Sequence, residues 1–484
     1  MNLDEVTLAD VLKQEGYATG IFGKWHNGAH YPYHPMGRGF DEFVGFTSGH
    51  WSSYFDTTIE KNGEPFFAEG YLPDVLTQEA LKFIRDKASA DTPFLCYVPY
   101  QTPHTPLQVP DQYFDKYTNK GADRFNAAMY GMAENIDDNV GILIEELDKL
   151  KIRENTIVIY LSDNGPLNRR YNAGLKGGKG QVDEGGMRVP FIVNWKNQLK
   201  AGSVQSQPLA HIDLMPTLLD LLKIDPPKTK NMDGLIFSAL LKGSEVFPER
   251  DLYMEWGGNK RVLSKDHLLI NEAFYDLKND EGQKQDLREQ FPEKYDILLA
   301  KYDSWIGQMP NKAPLKEIPV GYIDYPSTIL PAHEANLYPP FEFRKDRRHT
   351  GIAYHSLHGW AHDWIDDWTK SSAYAAWDLD IVEKGVYQIE LKYALAAADE
   401  GVKLDIVIGD QKLSLHQLDV FEHSIKQSHD RIPREQEAPE TDWNIARAGI
   451  LDLDQGTCQL KLMSTHIPGT KSIELKAVIL TRIE

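Results

Sequence analysis

Cysteine is nearly missing from this sequence: Cys96 and Cys458 are the two in 484 residues, far apart along the chain. They build neither a disulfide framework nor a zinc site, and they leave the compartment unread. Long hydrophobic runs are missing as well. No stretch of about 18 apolar residues occurs, so no membrane-crossing helix is expected and no membrane partner. The opening "MNLDEVTLAD" lacks the basic and then apolar regions of a signal peptide. An excess of positive charge is also missing. The formal balance is -20, and the mean field of such a surface repels a polyanion, which excludes a general nucleic-acid binder. An anionic substrate must therefore be met by a local cationic pocket.

What is present is an ordinary globular mixture of apolar and charged residues, over a length that suits two or three domains at roughly 150 residues each. Residues 7–15, "TLADVLKQE", read as a short helix. Thr7 and Asp10 form a capping box, Leu8, Val11 and Leu12 an apolar stripe, and Gly16 the stop. The strand "YATGIFG" follows. The alternation recurs with the helix "PDVLTQEALKFIRDKA" and the strand "TPFLCYVPY". A longer helix places Met129, Met132, Ile136, Val140, Ile144 and Leu147 on one stripe before the strand "TIVIYLSDNG", and "VPFIVNW" and "DLMPTLLDLL" come next. Helix and apolar strand in repetition predict an α/β domain with a mostly parallel sheet over 1–310. A Pro-rich, weakly patterned stretch over 311–340 reads as a linker or wrapping segment. Beyond it, period-two runs such as "GVYQIELKYAL" and "SIELKAVILTRI" predict an all-β sandwich over 341–484.

Four segments carry candidate chemistry. In "GKWH", Lys24 and His26 are two apart, and residues i and i+2 of a strand face the same way. Both are expected at a strand's carboxyl end, where open α/β sheets bind ligands. Trp25 between them reads as packing. In "VPYQTPHTPL", His104 follows a second strand between Pro103 and Pro106, which restrict the backbone around the imidazole. In "LSDNG", Asp163 and Asn164 suit a hard cation, while the same residues also make a simple turn. "NRRYNAGLKGGKGQVDEGGMRVP" is rich in glycine and carries Arg169, Arg170, Lys176, Lys179 and Arg188. It is not a P-loop, because Gly178-Lys179 is followed by Gly180. Each segment alone has a plain structural alternative. Together they offer cations, imidazoles and a metal-binding pair, which suits a tetrahedral oxyanion ester, sulfate or phosphate.

In this order, "GYATGIFGKWH", "HTPL", "SDNG", "GGKGQVDEGGMRVP" and "HIDLMPTLLDLL" resemble successive signatures of the formylglycine-dependent sulfatases, of alkaline-phosphatase-like fold. "LYMEWGGNKRVLSKDHLLI" and "FYDLKNDEGQKQDL" resemble that family's small C-terminal antiparallel subdomain. The last part resembles β-sandwich accessory domains of polysaccharide-degrading enzymes, some of them carbohydrate-binding. The resemblance implies a sulfuric-ester hydrolase acting on a sulfated carbohydrate. It assigns calcium, or magnesium, to Asp163 and Asn164, and sulfate and nucleophile contacts to Lys24. His26 then hydrogen-bonds the formylglycine hydroxyl, while His104 and Lys179 hold the sulfate near the leaving oxygen, with Arg169 and Arg170 beside them. Cations aimed at developing negative charge supply large catalytic terms.

The chain departs from the family at one point. The family places a paired-aspartate metal motif and a "C-x-P-S-R" sequence, whose cysteine becomes the formylglycine nucleophile, before the "GKWH" segment. Neither "CYVPY" nor "CQLKL" fits. The sequence therefore reads as a fragment, or a mis-assigned start, of a longer sulfatase that is periplasmic or secreted when complete. As given it is expected to be inactive, to bind calcium weakly and to expose apolar sheet surface. A sulfate- or glycan-binding pseudoenzyme and a phosphoesterase of the same superfamily stand as alternatives. Sugar, sulfate position, exo or endo action and oligomeric state are not set by the sequence.

Overall fold

The computed structural model describes residues 1–167, 171–228, 231–244, 246–309, 317–340, 350–434 and 437–484. Arg169 and Arg170 lie outside the described residues. The chain divides into two compact units, Met1–Glu146 with Leu315–Glu484, and Leu147–Pro314.

The first unit begins with α1 (Leu8–Gln14), closed at its start by the expected capping box. The Asp10 amide donates to Thr7 Oγ1 at 3.0 Å and the Thr7 amide to Asp10 Oδ2 at 2.9 Å. There follow β1 (Ala18–Lys24), β2 (Glu42–Phe46), β3 (Phe55–Lys61), β4 (Glu64–Tyr71), α2 (Leu72–Ser89), β5 (Phe94–Tyr97), α3 (Asp111–Thr118) and α4 (Arg124–Lys149). The five strands form one sheet in the order β4-β3-β2-β1-β5. It is parallel at its centre, where β1 pairs β2 and β5, and antiparallel where β3 joins β2 and β4. Neighbouring residues of β1 face opposite sides. Ile21 packs in the cluster of Ala9 from α1, with Phe40 and Phe43, whereas Phe22 meets Phe83 of α2 at 5.5 Å between ring centroids. The two helices therefore cover opposite faces of the sheet. β5 is an edge strand of this sheet, and its Tyr97 is 47% exposed.

The second unit holds β6 (Val158–Leu161) and β7 (Phe191–Asn194), paired antiparallel in a sheet of their own. The expectation that β6 would share one parallel sheet with β1 and β5 is thus not met among the described residues. Its one partner runs the other way, a choice made by tertiary pairing and not by the apolar pattern of the strand. β8 (Asp251–Trp256), β9 (Asn259–Ser264), β10 (His267–Ile270) and β11 (Ala273–Asp276) make the antiparallel subdomain, with "FYD" on its last strand. A helix, Pro292–Ile306, buries Tyr295, Leu298 and Tyr302 on Val262, Leu269 and Phe274 of one face. Val182 packs on Leu268, Ile270 and Tyr275.

The rest of the first unit is a β-sandwich. β12 (Ile318–Val320), β13 (Ser327–Pro331) and β14 (Asn336–Tyr338) come from the segment read as linker or wrapping; they are short, which is why no periodicity marks them. β15 (Ala353–Tyr354), β16 (Ile365–Asp366), β17 (Tyr374–Ile381), β18 (Gly385–Ala394), β19 (Lys403–Ile408), β20 (Gln411–Leu415), β21 (Asn444–Leu453), β22 (Gly456–His466) and β23 (Glu474–Arg482) complete it. One sheet runs β12-β17-β22-β19-β20 and the other β15-β16-β23-β18-β21, with β14 and β13 added to them. Between them lies an apolar core that includes Trp368, Trp377, Tyr387 and Tyr393. Trp364 and Trp368 are fully buried, so packing accounts for both, while Trp360 is exposed.

Candidate active site

Three strands build the site in the first unit. β1 and β5 run parallel, so Lys24 at the end of one and the loop after the other share the sheet's carboxyl edge. The ladder continues past the strands, with the Lys24 amide on the Pro99 carbonyl at 2.9 Å and the Trp25 amide on the Phe46 carbonyl at 3.0 Å. Lys24 is half-buried. Trp25 is packing, as expected: it is buried, meets Phe40 edge-on at 5.8 Å and donates through Nε1 to the Tyr33 carbonyl at 3.0 Å.

His26 is not placed by the i, i+2 rule. β1 ends at Lys24, and His26 sits beyond it with φ of 56°, exposed, so strand alternation no longer governs its direction. Its ring lies against Gly49: a Cβ there would fall 2.3 Å from Nε2, so only glycine fits. This contact ties His26 to the loop between β2 and β3.

His104 is held from several sides. Its Nδ1 lies 2.8 Å from the Thr105 carbonyl. A carbonyl only accepts, so Nδ1 carries a proton toward it. The Tyr54 hydroxyl donates to the same carbonyl at 2.7 Å. Thr105 Oγ1 donates to Glu437 Oε1 at 2.7 Å, a residue of the sandwich. Sequence reasoning missed Glu437, and also His50, whose ring lies 5.8 Å from that of His104. Burial, then the positive charges of His104, Arg434 and Lys24, hold His50 down at a pKa of about 3. Lone loop residues hundreds of positions apart give no signal that they meet.

In the second unit, Asp163 and Asn164 follow β6. Asp163 Oδ1 accepts from the Asn164 amide at 2.7 Å, and Asn164 Nδ2 donates to the Gly165 carbonyl at 2.9 Å, which leaves the side-chain oxygen as its ligand atom. The loop is bonded to the glycine-rich segment: Gly165 N reaches Gly186 O at 2.9 Å and Lys179 N reaches Pro166 O at 2.8 Å. That segment rests on the antiparallel subdomain through a buried ion pair of Arg261 with Glu184, and through Arg261 Nη1 on the Val182 carbonyl at 2.8 Å. Lys176 is spent on the Tyr275 hydroxyl at 2.9 Å and on Asp183 at 3.5 Å. Arg188 lies 3.7 Å from Glu281. Lys179 is exposed and has no side-chain partner among the described residues.

Two hard oxygen donors fit a calcium or magnesium ion in kind, but calcium takes about 6–8 oxygens. Among the described residues no group of three or more His, Cys, Asp or Glu is arranged to hold a metal. The donor set is thus incomplete, and no step is derived through a metal. Cys96 lies inside β5, where burial pushes its thiol up to about 12, and Cys458 lies in β22 of the sandwich, its thiol also raised by burial.

Residues 2–224 match the profile of the sulfatase family, and residues 178–291 match that described as N-sulphoglucosamine sulphohydrolase, C-terminal. Over these residues the chain is similar to members of the sulfatase family. It is 33% identical over 266 residues to the uncharacterized sulfatase YdeN of Escherichia coli (strain K12), covering 48% of this chain and 46% of that one. It is 33% identical over 265 residues to the N-acetylgalactosamine-6-sulfatase of Mus musculus, covering 49% of each. The chain thus spans about half the length of these curated relatives. The crystal structure of Ps i-CgsB in complex with k-i-k-neocarrahexaose is similar over 62% of this chain and 73% of that one, with a TM-score of 0.58 and 28% identity. The mixed α/β sheet followed by an antiparallel sheet is the fold the chain shares with that neighbour. No helix among the described residues is long and apolar enough to cross a membrane.

Proposed function

We propose that this chain carries the sulfate-binding groups of a sulfuric-ester hydrolase acting on a sulfated carbohydrate. The reading is supported by Lys24 and the His104 loop following neighbouring parallel strands, by both residues bearing on the charge of His50, and by Nδ1 of His104 lying 2.8 Å from a carbonyl. As an imidazolium, with a proton on each ring nitrogen, His104 passes the Nε2 proton to the departing sugar alcohol and becomes neutral, while Lys24 balances the charge of the sulfate. Lys179 is read as an anion-binding group on its own loop, which is bonded to the segment that follows Asp163 and Asn164. His26 orients the attacking group. Asp163 and Asn164 form part of a calcium site, in which magnesium is the second choice. The carbohydrate is supported by relatives named for N-acetylgalactosamine 6-sulfate and by a neighbour solved with an oligosaccharide.

The nucleophile is not among these residues. Formylglycine supplies the attacking oxygen in this family, and neither Cys96, inside a strand, nor Cys458, in the sandwich, stands in its sequence setting. The purified chain is therefore expected to hydrolyse neither 4-nitrophenyl sulfate nor 4-nitrophenyl phosphate. Turnover of the sulfate overturns the account of the nucleophile, and turnover of the phosphate favours a phosphoesterase. In an active form that supplies the nucleophile, His104→Ala or Lys179→Ala is expected to lower the rate by about 10²–10³. Near-normal rates would remove both residues from the site. Calorimetric titration with calcium is expected to give a Kd on the order of millimolar or weaker, since two donors leave the ion mostly hydrated. Micromolar binding would show further ligands.

A further inference from the structure

In the connection between β20 and β21, the described residues 427–434 and 437–440 lie along the loops of the α/β part. Gln108 donates to Asp430 at 2.7 Å, the Arg431 amide donates to the Leu107 carbonyl at 2.8 Å, and Ser52 donates to Glu440 at 2.6 Å. Phe55 and His429 stack at 4.5 Å. Arg434 is neutralised by Asp430 at 2.7 Å. These contacts carry Glu437 to the side of His104.

Around Glu437 the polar accounting does not close. Its Oε1 is taken by Thr105, but among the described residues its Oε2 is buried with no hydrogen bond of good geometry. Both ring nitrogens of His50 are likewise buried without a well-formed hydrogen bond among the described residues, although its ring bears on the Thr105 backbone. His50 Nε2 and Glu437 Oε2 stand 3.4 Å apart, with side-chain exposures of 12% and 14%. His362 fixes this loop from the sandwich, its Nε2 2.8 Å from the His50 carbonyl and 3.2 Å from Ser48 Oγ. Buried polar atoms without partners each cost free energy, and such a cluster next to a proposed catalytic imidazole points to a ligand.

We propose that His50 and Glu437 form a sugar subsite in which the sandwich reads a neutral hydroxyl of the residue bearing the sulfate ester. The proposal rests on the sulfatase reading above. A carboxylate accepts only and repels anions, so Glu437 beside an oxyanion pocket selects an O–H donor and rejects a second sulfate or a carboxylate. A neutral imidazole offers one donor and one acceptor. One hydroxyl placed between them donates to Glu437 Oε2 and accepts from a His50 N–H. The accessory domain is then a specificity element of the reaction centre, and not only a remote glycan anchor.

The test measures binding of galactose 2-, 3-, 4- and 6-sulfate, each alone, and of ethyl sulfate to the 484-residue chain by calorimetry. At least one galactose monosulfate is expected to bind about tenfold or more tighter than ethyl sulfate, the range of a hydrogen bond to a charged group. Glu437→Gln keeps the shape and an acceptor for Thr105 but places a donor at Oε2; it is expected to abolish that preference while ethyl sulfate binds as before. His50→Phe should act likewise, and a disulfated galactose should bind Glu437→Gln better than the wild type. Equal affinity of wild type for ethyl sulfate and every galactose sulfate, or an unchanged preference in both variants, overturns the subsite alone. If the wild type binds none of these esters, the sulfatase reading falls, and the subsite with it.

Discussion

Arg261 shows how much can hang on one side chain. It is buried with Glu184, and its guanidinium also caps the Val182 carbonyl, so it fixes the turn that ends the glycine-rich loop. Removing one member of a buried pair strands the other's charge, which typically costs about 3–5 kcal/mol. Arg261→Leu is therefore expected to lower the denaturant midpoint strongly in an unfolding titration. A loss below about 1 kcal/mol would mean that Glu184 finds another partner. Residues of this kind are hard to read in advance. Lys24, His104, Asp163 and Lys179 were proposed from the sequence because each sits in a short distinctive motif. His50 and Glu437 were not, since a histidine and a glutamate in separate loops carry no pattern until the fold joins them.

Elements were legible where the signal is local. The capping box before α1 is written in four consecutive residues, and both of its hydrogen bonds are present. Thr7→Ala is expected to cost about 1 kcal/mol, the usual worth of an N-cap side chain; thermal unfolding of the variant checks this, and an unchanged midpoint would show that α1 is held by packing alone. The sandwich strands were equally plain, because alternation follows from one face being buried. What stayed hidden was partner choice. The runs of β6 and β7 look like those of parallel strands, yet the two pair antiparallel with each other. His26 escaped for a related reason: its left-handed backbone ends the alternation two residues before a motif-based argument assumed it would.

For the molecule as a whole, acidity is the condition to vary. Burial holds His50 at about 3 and His333 at about 4, and lowers His362 well below its ordinary value. All three stay neutral in the folded state near neutral pH, whereas the unfolded chain protonates them from about pH 6.5 downward. The unfolded state thus binds more protons, and stability falls as pH drops, by about 1.4 kcal/mol per pH unit for each histidine between its two pKa values. Glu437, raised by burial, acts the other way as a single group. The melting temperature is expected to fall steadily from pH 7 to pH 4.5, and less steeply in His362→Asn. A flat profile over that interval would show that these histidines charge without unfolding the chain.

The loop that reaches from the sandwich across the α/β part also decides how this architecture can diverge. Because Asp430, Arg431 and Glu437 are bonded to residues of the other segment, the last third of the polypeptide is no cargo to be exchanged at will. On the proposed subsite, a chimaera joined near residue 310 is expected to take its donor's taste in sugars along with the added strands, and to keep the recipient's grip on sulfate.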